Sequence, residues 1–197
     1  FALFDSFQAF KPRESQKYPV VVVDIDEESL RRLGPWPWPR QHLTKLTNNI
    51  SAMGASGIVI YLSLADTDTM SPQRIAKLLP PDDAFNSARE RLSALPDTDT
   101  ALAAAIGAAP VVLGFVPSNN ATGTEPSLKV LPASLQNANT GTLLSFPVAT
   151  NALQKLQDAA SGYGSFPVIS RGTTTVRQLP LFVSINKNVY PSLTAEA

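Results

Sequence analysis

The chain has 197 residues, of which 44% are apolar and 16% are charged, and this balance fits a folded globular protein rather than a disordered one. Sixteen basic residues balance sixteen acidic ones, so the charge favours neither a nucleic acid partner nor electrostatic attraction to an anionic membrane. There is no cysteine and only one histidine, which excludes disulfides, thiol catalysis and zinc sites built from several histidines or cysteines.

The length corresponds to one domain with a sizeable core. We expect a single domain over 1–197, with a lead-in segment at 1–17 and a loop-rich elaboration at 118–150. No run of about 20 apolar residues is present, so no segment of the sequence is expected to cross a membrane. The sequence begins without an initiator methionine or a signal-peptide pattern, and we therefore expect it to be one domain of a longer protein.

The first predicted strand is Val20–Val23, a continuous β-branched run typical of a strand buried on both faces, and we predict it as the central strand. After it, Asp26 is placed to cap a helix over Glu27–Leu33, and Gly34 suits the end of that helix. Alternating prolines then disfavour helix until Arg40, where a second helix is predicted to begin.

Further strands alternate with helices along the chain. Gly57–Leu64 and Pro110–Val116 are predicted strands, and either Asp97 or Thr98 is the predicted start of the alanine-rich helix between them. Phe166–Ile169 and Thr174–Ile185 are predicted to form an antiparallel C-terminal hairpin region. The alternation predicts an α/β fold with a mixed, mostly parallel central sheet and helices on both faces.

Two acidic pairs follow predicted strands. Asp24 and Asp26 follow the valine run, and Asp66 and Asp68 follow the second strand. Ligands of open α/β sheets bind beyond the carboxyl ends of the strands, where four carboxylates would suit Mg²⁺, Ca²⁺ or a cationic ligand. The alternative is that these residues cap helices or lie solvated in loops, which the general preference of aspartate for caps favours.

Both tryptophans and the arginine at 40 lie in the proline-rich turn. Trp36, Trp38 and Arg40 are candidate ligand-binding residues, because indole faces accept rings and a guanidinium fork binds carboxylates. The alternative is structural: the indoles pack over the sheet edge and Arg40 pairs with Asp24 or Asp26.

An enzyme remains a competing hypothesis. The Asp-x-Asp pattern of Asp24 and Asp26 also begins some phosphoryl-transfer and hydrolase sites, in which the first carboxylate is the nucleophile. Such a site needs a lysine or arginine from another strand, and the third predicted strand ends in 115–118 without a lysine. We therefore predict no catalytic residue.

The segment 24–40 carries a family resemblance. Asp-Ile-Asp-Glu-Glu-Ser-Leu at 24–30, followed by Leu-Gly-Pro-Trp-Pro-Trp-Pro-Arg at 33–40, resembles the signature of the second class of CHASE domains. These are cyclase/histidine-kinase-associated sensory extracellular domains of bacterial receptors. Weaker similarity continues at 54–60, 162–166 and 176–181, so the resemblance covers most of the chain.

The resemblance implies a location and a role. It implies an extracytoplasmic domain, periplasmic or at the cell surface, of a protein anchored in the cytoplasmic membrane, with residues 1–17 leading in from a membrane helix. The partners it implies are flanking transmembrane helices and a cytoplasmic effector of the same chain, in two-component or cyclic-nucleotide signalling. It implies binding of an unknown small ligand, or sensing of envelope state, without enzyme activity in this domain.

An assembly module that dimerises a receptor without binding a ligand is a third hypothesis, so a homodimer is one expected assembly. The sequence also departs from the family pattern, because Tyr61 stands where relatives carry a strand aspartate and 170–175 lacks their acidic turn. No organic cofactor is expected, and the departures weaken the case for Mg²⁺ or Ca²⁺.

Overall fold

The structure is a computed structural model that describes residues 6–7, 9–11, 20–120, 123–126, 143–166 and 179–197. The chain divides into two compact units, Phe1–Trp36 and Pro37–Ala197, and each is described separately below. Within the described ranges, no helix has both the length and the apolar character that a membrane span requires. Most of the lead-in at 1–17 and residues 127–142 of the predicted loop-rich elaboration lie outside the described residues.

In the first unit, helix α1 covers Glu27–Leu33. Asp26 caps it, because its carboxylate Oδ1 accepts a hydrogen bond from the backbone N–H of Ser29 at 2.8 Å. Gly34 ends the helix with φ of 95°, a conformation that favours glycine. The predicted caps at both ends of this helix are therefore confirmed.

The prediction of a central strand at Val20–Val23 is wrong. These residues form no strand, and their side chains are 56–87% exposed. A β-branched run becomes a strand only where a neighbouring strand completes its hydrogen-bond ladder, and this run belongs to neither sheet of the described chain. Residue type alone therefore did not determine the local structure.

The second unit contains the sheets and most of the helices. Its described helices are α2 (Arg40–Ala52), α3 (Pro72–Leu78), a 3₁₀ turn (Asp83–Phe85), α4 (Asn86–Ser93), α5 (Thr98–Gly107), α6 (Gln154–Ala159) and α7 (Leu193–Glu196). Its described strands are β1 (Ile58–Ile60), β2 (Val111–Ser118), β3 (Leu144–Phe146), β4 (Val148–Thr150), β5 (Gly162–Ser165), β6 (Phe182–Ile185) and β7 (Asn188–Pro191).

The central strand of the main sheet is β2. It pairs in parallel with β1 and β5, and its carboxyl-terminal end pairs antiparallel with β4. In the second sheet, β6 lies between β3, which is parallel to it, and β7, which forms the antiparallel hairpin. The mixed α/β architecture is therefore confirmed. The predicted pairing of Phe166–Ile169 with Thr174–Ile185 falls mostly on residues 167–178, which lie outside the described residues, and the antiparallel C-terminal hairpin that the structure describes is β6–β7.

The core lies on one face of the main sheet. Val111, Leu113 and Phe115 alternate toward this face along β2, and each is at most 1% exposed. Leu102 of α5 and Leu156 of α6 belong to the same buried cluster. The four-residue helix α7 contacts β5 on the opposite face, so the described helices contact both faces of the main sheet, as predicted.

Tyr163, a buried residue of β5, is expected to make the stability of the domain depend on pH in the alkaline range. Its phenol oxygen accepts a hydrogen bond from the N–H of Ala152 at 2.7 Å, and burial raises its pKa to about 12. Because this pKa is raised in the folded state, the stability it contributes is complete below pH 10 and is lost as the pH rises toward 12. The free energy of unfolding should therefore fall across this window.

Urea unfolding followed by circular dichroism at several pH values checks this expectation. Tyr163→Phe should make the decline shallower, because the variant has no phenol proton at this position. Part of the decline should remain, since burial and Glu125 also raise the pKa of Tyr190. An identical decline in the variant and the wild type would contradict the assignment to Tyr163.

Candidate functional site

Helix α2 begins at Arg40, and its first N–H group is capped by a residue that is distant in the sequence. Pro39 precedes the helix and supplies no side-chain cap, so the first N–H groups need acceptors from elsewhere. The N–H of Arg40 donates to Oδ2 of Asp68 at 3.1 Å. Asp68 therefore caps α2 from a distant part of the chain, in the loop that follows β1.

The guanidinium of Arg40 is buried, with 9% of its side chain exposed. Its Nε donates to Oδ1 of Asp99 at 3.1 Å, and its Nη2 donates to the backbone oxygen of Asp66 at 2.6 Å. Asp99 lies in the first turn of α5, where a carboxylate also suits the helix dipole. One side chain thus connects α2, the loop after β1 and α5.

The carboxylate of Asp68 is held by two further donors. The hydroxyl of Thr98 donates to its Oδ2 at 2.7 Å, and the N–H of Met70 donates to its Oδ1 at 3.0 Å. The backbone N–H of Asp68 in turn donates to Oδ2 of Asp99 at 3.0 Å. We call this set of residues the Arg40 network: Arg40, Asp66, Asp68, Thr98 and Asp99.

The electrostatics of the Arg40 network indicate a structural role. The network contains one buried guanidinium, which pairs with Asp99, and two buried carboxylates, and every oxygen of these carboxylates accepts at least one hydrogen bond. Burying such charges is costly unless their hydrogen bonds are satisfied, and here they are. Among the residues that the structure describes, no three His, Cys, Asp or Glu side chains cluster to hold a metal ion.

The predicted partner of Arg40 is wrong. We expected Asp24 or Asp26, and the structure gives Asp99 instead. The expectation depended on a strand at the valine run that would carry those acids beside Asp66 and Asp68, and that strand does not form. In its own unit Asp24 is exposed, and Asp26 is the α1 cap, whose hydrogen bonds with Ser29 lower its pKa.

The other predicted site residues divide by burial. Trp38 is 7% exposed and its ring lies 6.0 Å from that of His42, whereas Trp36 is 39% exposed. Asp66 contributes its backbone oxygen to the Arg40 network, but its side chain is exposed. The structure therefore brings Arg40, Asp66 and Asp68 together.

Sequence reasoning missed Asp99 and Thr98 as members of the site. It left the start of α5 to Asp97 or Thr98, and the structure selects Asp97 as the cap: Oδ2 of Asp97 accepts from the N–H of Thr100 at 3.0 Å. An acidic residue in the first turn of an otherwise apolar, alanine-rich helix was the available signal for Asp99. Its partner is 59 positions away in the sequence, which no local pattern identifies.

Asp97 forms a second ion pair at the start of α5. Nζ of Lys155 in α6 lies 2.7 Å from its Oδ2, and both side chains are more than a third exposed. The hydrogen bond from Lys155 and those from Thr100 lower the pKa of Asp97 to about 2. At the start of α5, the cap Asp97 thus pairs with an exposed cation and Asp99 with a buried one.

A separate polar cluster surrounds Glu125. The hydroxyl of Tyr190 donates to its Oε1 at 2.8 Å, and the side-chain amides of Asn188 and Asn186 donate to the same carboxylate. These hydrogen bonds, that of Tyr190 foremost, lower the pKa of Glu125. The cluster joins the loop at 123–126 to the β6–β7 hairpin and satisfies the carboxylate within the protein.

The family model described as CHASE2 domain matches residues 1–197, which is the whole chain. Neither the curated proteins nor the solved structures include a significant match. The chain therefore belongs to the CHASE2 family of sensory extracellular domains.

Proposed function

We propose that this chain is the extracytoplasmic sensory input domain of a membrane-anchored bacterial signalling receptor. In this proposal, transmembrane helices flank the domain and connect it to a cytoplasmic effector, which is a cyclase, a histidine kinase or a similar module. The domain binds a small ligand or responds to the state of the envelope. The observation that carries the proposal is the family match over all 197 residues.

The geometry of the family-like segment supports a non-catalytic role. Its arginine, Arg40, is buried and engaged by Asp99 and by the backbone of Asp66, rather than being open to a substrate. CHASE2 is a sensory domain family rather than a catalytic one. We therefore favour the sensor over a phosphoryl-transfer or hydrolase-like enzyme that would use Asp24 and Asp26.

Burial separates the candidate ligand-binding residues of the proposed sensor into two groups. Arg40, Asp68 and Trp38 are buried, and their packing suits a supporting role. Asp24 and Trp36 in the first unit, and Asp66 in the second, keep exposed side chains, so they are the better candidates for ligand contact. The alternative is a dimerisation module that binds no ligand. A binding measurement alone would not separate the two functions, because the ligand of the proposed sensor is unidentified.

Location is the sharpest test of the proposal. Because these 197 residues contain no cysteine, Lys45→Cys places one cysteine in the domain, at an exposed position of α2, and the receptor without this substitution controls for cysteines elsewhere. In the complete receptor, the Lys45→Cys variant should react with a membrane-impermeant maleimide in intact cells. A cysteine introduced into the cytoplasmic effector should react only after the cells are permeabilised.

A second measurement tests the sensory role itself. Removing the domain from the complete receptor should change the output of the effector, measured as nucleotide production or autophosphorylation.

Labelling at position 45 only after permeabilisation would contradict the extracytoplasmic location. An effector output unchanged by removal of the domain would contradict the sensory input role.

A further inference from the structure

The face of the main sheet opposite the core carries glycines on neighbouring strands. Gly114 of β2 is the register partner of Gly164 of β5, and Val112 is the partner of Gly162. Register partners in parallel strands share a face, so the three glycines lie on the same side of the sheet. Without side chains at these positions, other groups can approach the sheet backbone closely.

Helix α7 uses the space at Gly164. A Cβ at this position would lie 2.7 Å from both the backbone N and the Cα of Leu193. These are backbone atoms of the first residue of α7, so a methyl group could be accommodated only by moving the helix or the strand. Leu193 itself is 4% exposed, which fixes α7 against the sheet by apolar burial.

Ser192 fixes the start of the same helix. Its N–H donates to the backbone oxygen of Leu181 at 2.7 Å, and its hydroxyl accepts from the N–H of Ala195 at 3.3 Å. Ser192 also forms an isolated parallel bridge with Ser165, the residue after Gly164. We call the contact formed by Gly164, Ser192 and Leu193 the Gly164 seat.

Gly162 provides an internal comparison on the same strand and the same face. The three atoms nearest to a Cβ at Gly162 all belong to the side chain of Glu196, with Oε1 at 2.7 Å and Cγ at 2.8 Å. A flexible, exposed side chain can rotate away, whereas backbone cannot. The two glycines therefore differ in their neighbours. At Gly162 the side chain of Glu196 can move without moving α7, whereas at Gly164 the backbone of Leu193 cannot.

We propose that the Gly164 seat is the output device of the domain, an inference that rests on the proposed sensory function. Because backbone contacts backbone, no side-chain rotation absorbs a displacement of β5, and α7 must follow the strand. A change in the main sheet is thereby passed to the segment at Ser192–Glu196. The Gly164 seat therefore couples the conformation of the main sheet to the position of α7.

The test uses a pair of spin labels in the cysteine-free chain. Ala104→Cys on α5 and Thr194→Cys on α7 are both exposed positions, and the distance between their labels reports the position of α7 relative to the core. Gly164→Ala should lengthen the mean distance by about 1 Å or broaden its distribution, because the methyl group needs normal contact distances. Gly162→Ala should leave the distance as in the otherwise unsubstituted labelled chain.

The same two substitutions are then placed in the complete receptor, and the basal output of the effector is measured. Gly164→Ala should shift the output and Gly162→Ala should not. An unmoved α7 in Gly164→Ala, or an equal movement in Gly162→Ala, would overturn the seat. Movement of α7 without a change in output would overturn its role as the output device, while deletion of the domain separately decides whether the sensory function holds.

Leu193→Ala keeps the inference testable if Gly164→Ala fails to fold. This variant removes the apolar anchor of α7 without adding an atom to the sheet, so it should release α7 and shift the output in the same assays. A chain in which Leu193→Ala leaves both the label distance and the output unchanged would overturn the proposal.

Discussion

Arg40→Ala is expected to lower the free energy of unfolding by about 3–5 kcal/mol, because it leaves the buried carboxylate of Asp99 without its cation. The side chains of Arg40 and Asp99 are 9% and 4% exposed, so water cannot replace the guanidinium without opening the structure. For a domain of this size, the loss corresponds to a decrease in melting temperature of roughly 10 °C.

Lys155→Ala is the matched control for this prediction. Lys155 pairs with Asp97, two positions from Asp99 on the same helix, but its side chain is 47% exposed. Exposed pairs contribute at most about 1 kcal/mol, so this substitution should change the stability only slightly. Thermal and urea unfolding of both variants checks the comparison. Similar losses of unfolding free energy in the two variants would show that the buried Arg40 network stabilises the domain no more than an exposed ion pair does.

Asp68→Ala is expected to lower the free energy of unfolding by about 2–4 kcal/mol, because three donors lose their acceptor. These donors are the N–H of Arg40, the N–H of Met70 and the hydroxyl of Thr98. The loss should appear as a lower urea midpoint with an unchanged slope, since the fold itself is retained.

Asp66→Ala is the control for Asp68→Ala. The side chain of Asp66 is exposed, and the substitution keeps the backbone oxygen that accepts from Arg40. Its effect should stay within about 0.5 kcal/mol, as for other surface positions. Equal losses in the two variants would contradict the account, and a melting temperature that EDTA lowers and Mg²⁺ restores would assign these aspartates to a cation instead.

Local signals in the sequence predicted local structure well. The cap of α1 by Asp26 and the cap of α5 by Asp97 are each formed with a residue three positions away, so the sequence window contains both partners. The alternation of apolar runs and helices also predicted the α/β class correctly. These features depend on interactions that a short segment makes with itself.

Predictions that depended on distant partners were less successful. The valine run has the composition of a buried strand, but burial is decided by what pairs with it, and Val20–Val23 belongs to neither described sheet. The acids near Arg40 in sequence suggested Asp24 or Asp26 as its partner, while the folded chain supplies Asp99. Tertiary contacts of this kind are not encoded in local spacing.

A double-mutant cycle of Arg40→Ala and Asp99→Ala tests most directly the claim that the arginine of the family-like segment holds the domain together. The account predicts a coupling energy above about 1.5 kcal/mol, well beyond that of a parallel cycle on Lys155 and Asp97, expected at or below about 1 kcal/mol. A coupling near zero for Arg40 and Asp99, or one no larger than that of the exposed pair, would contradict it.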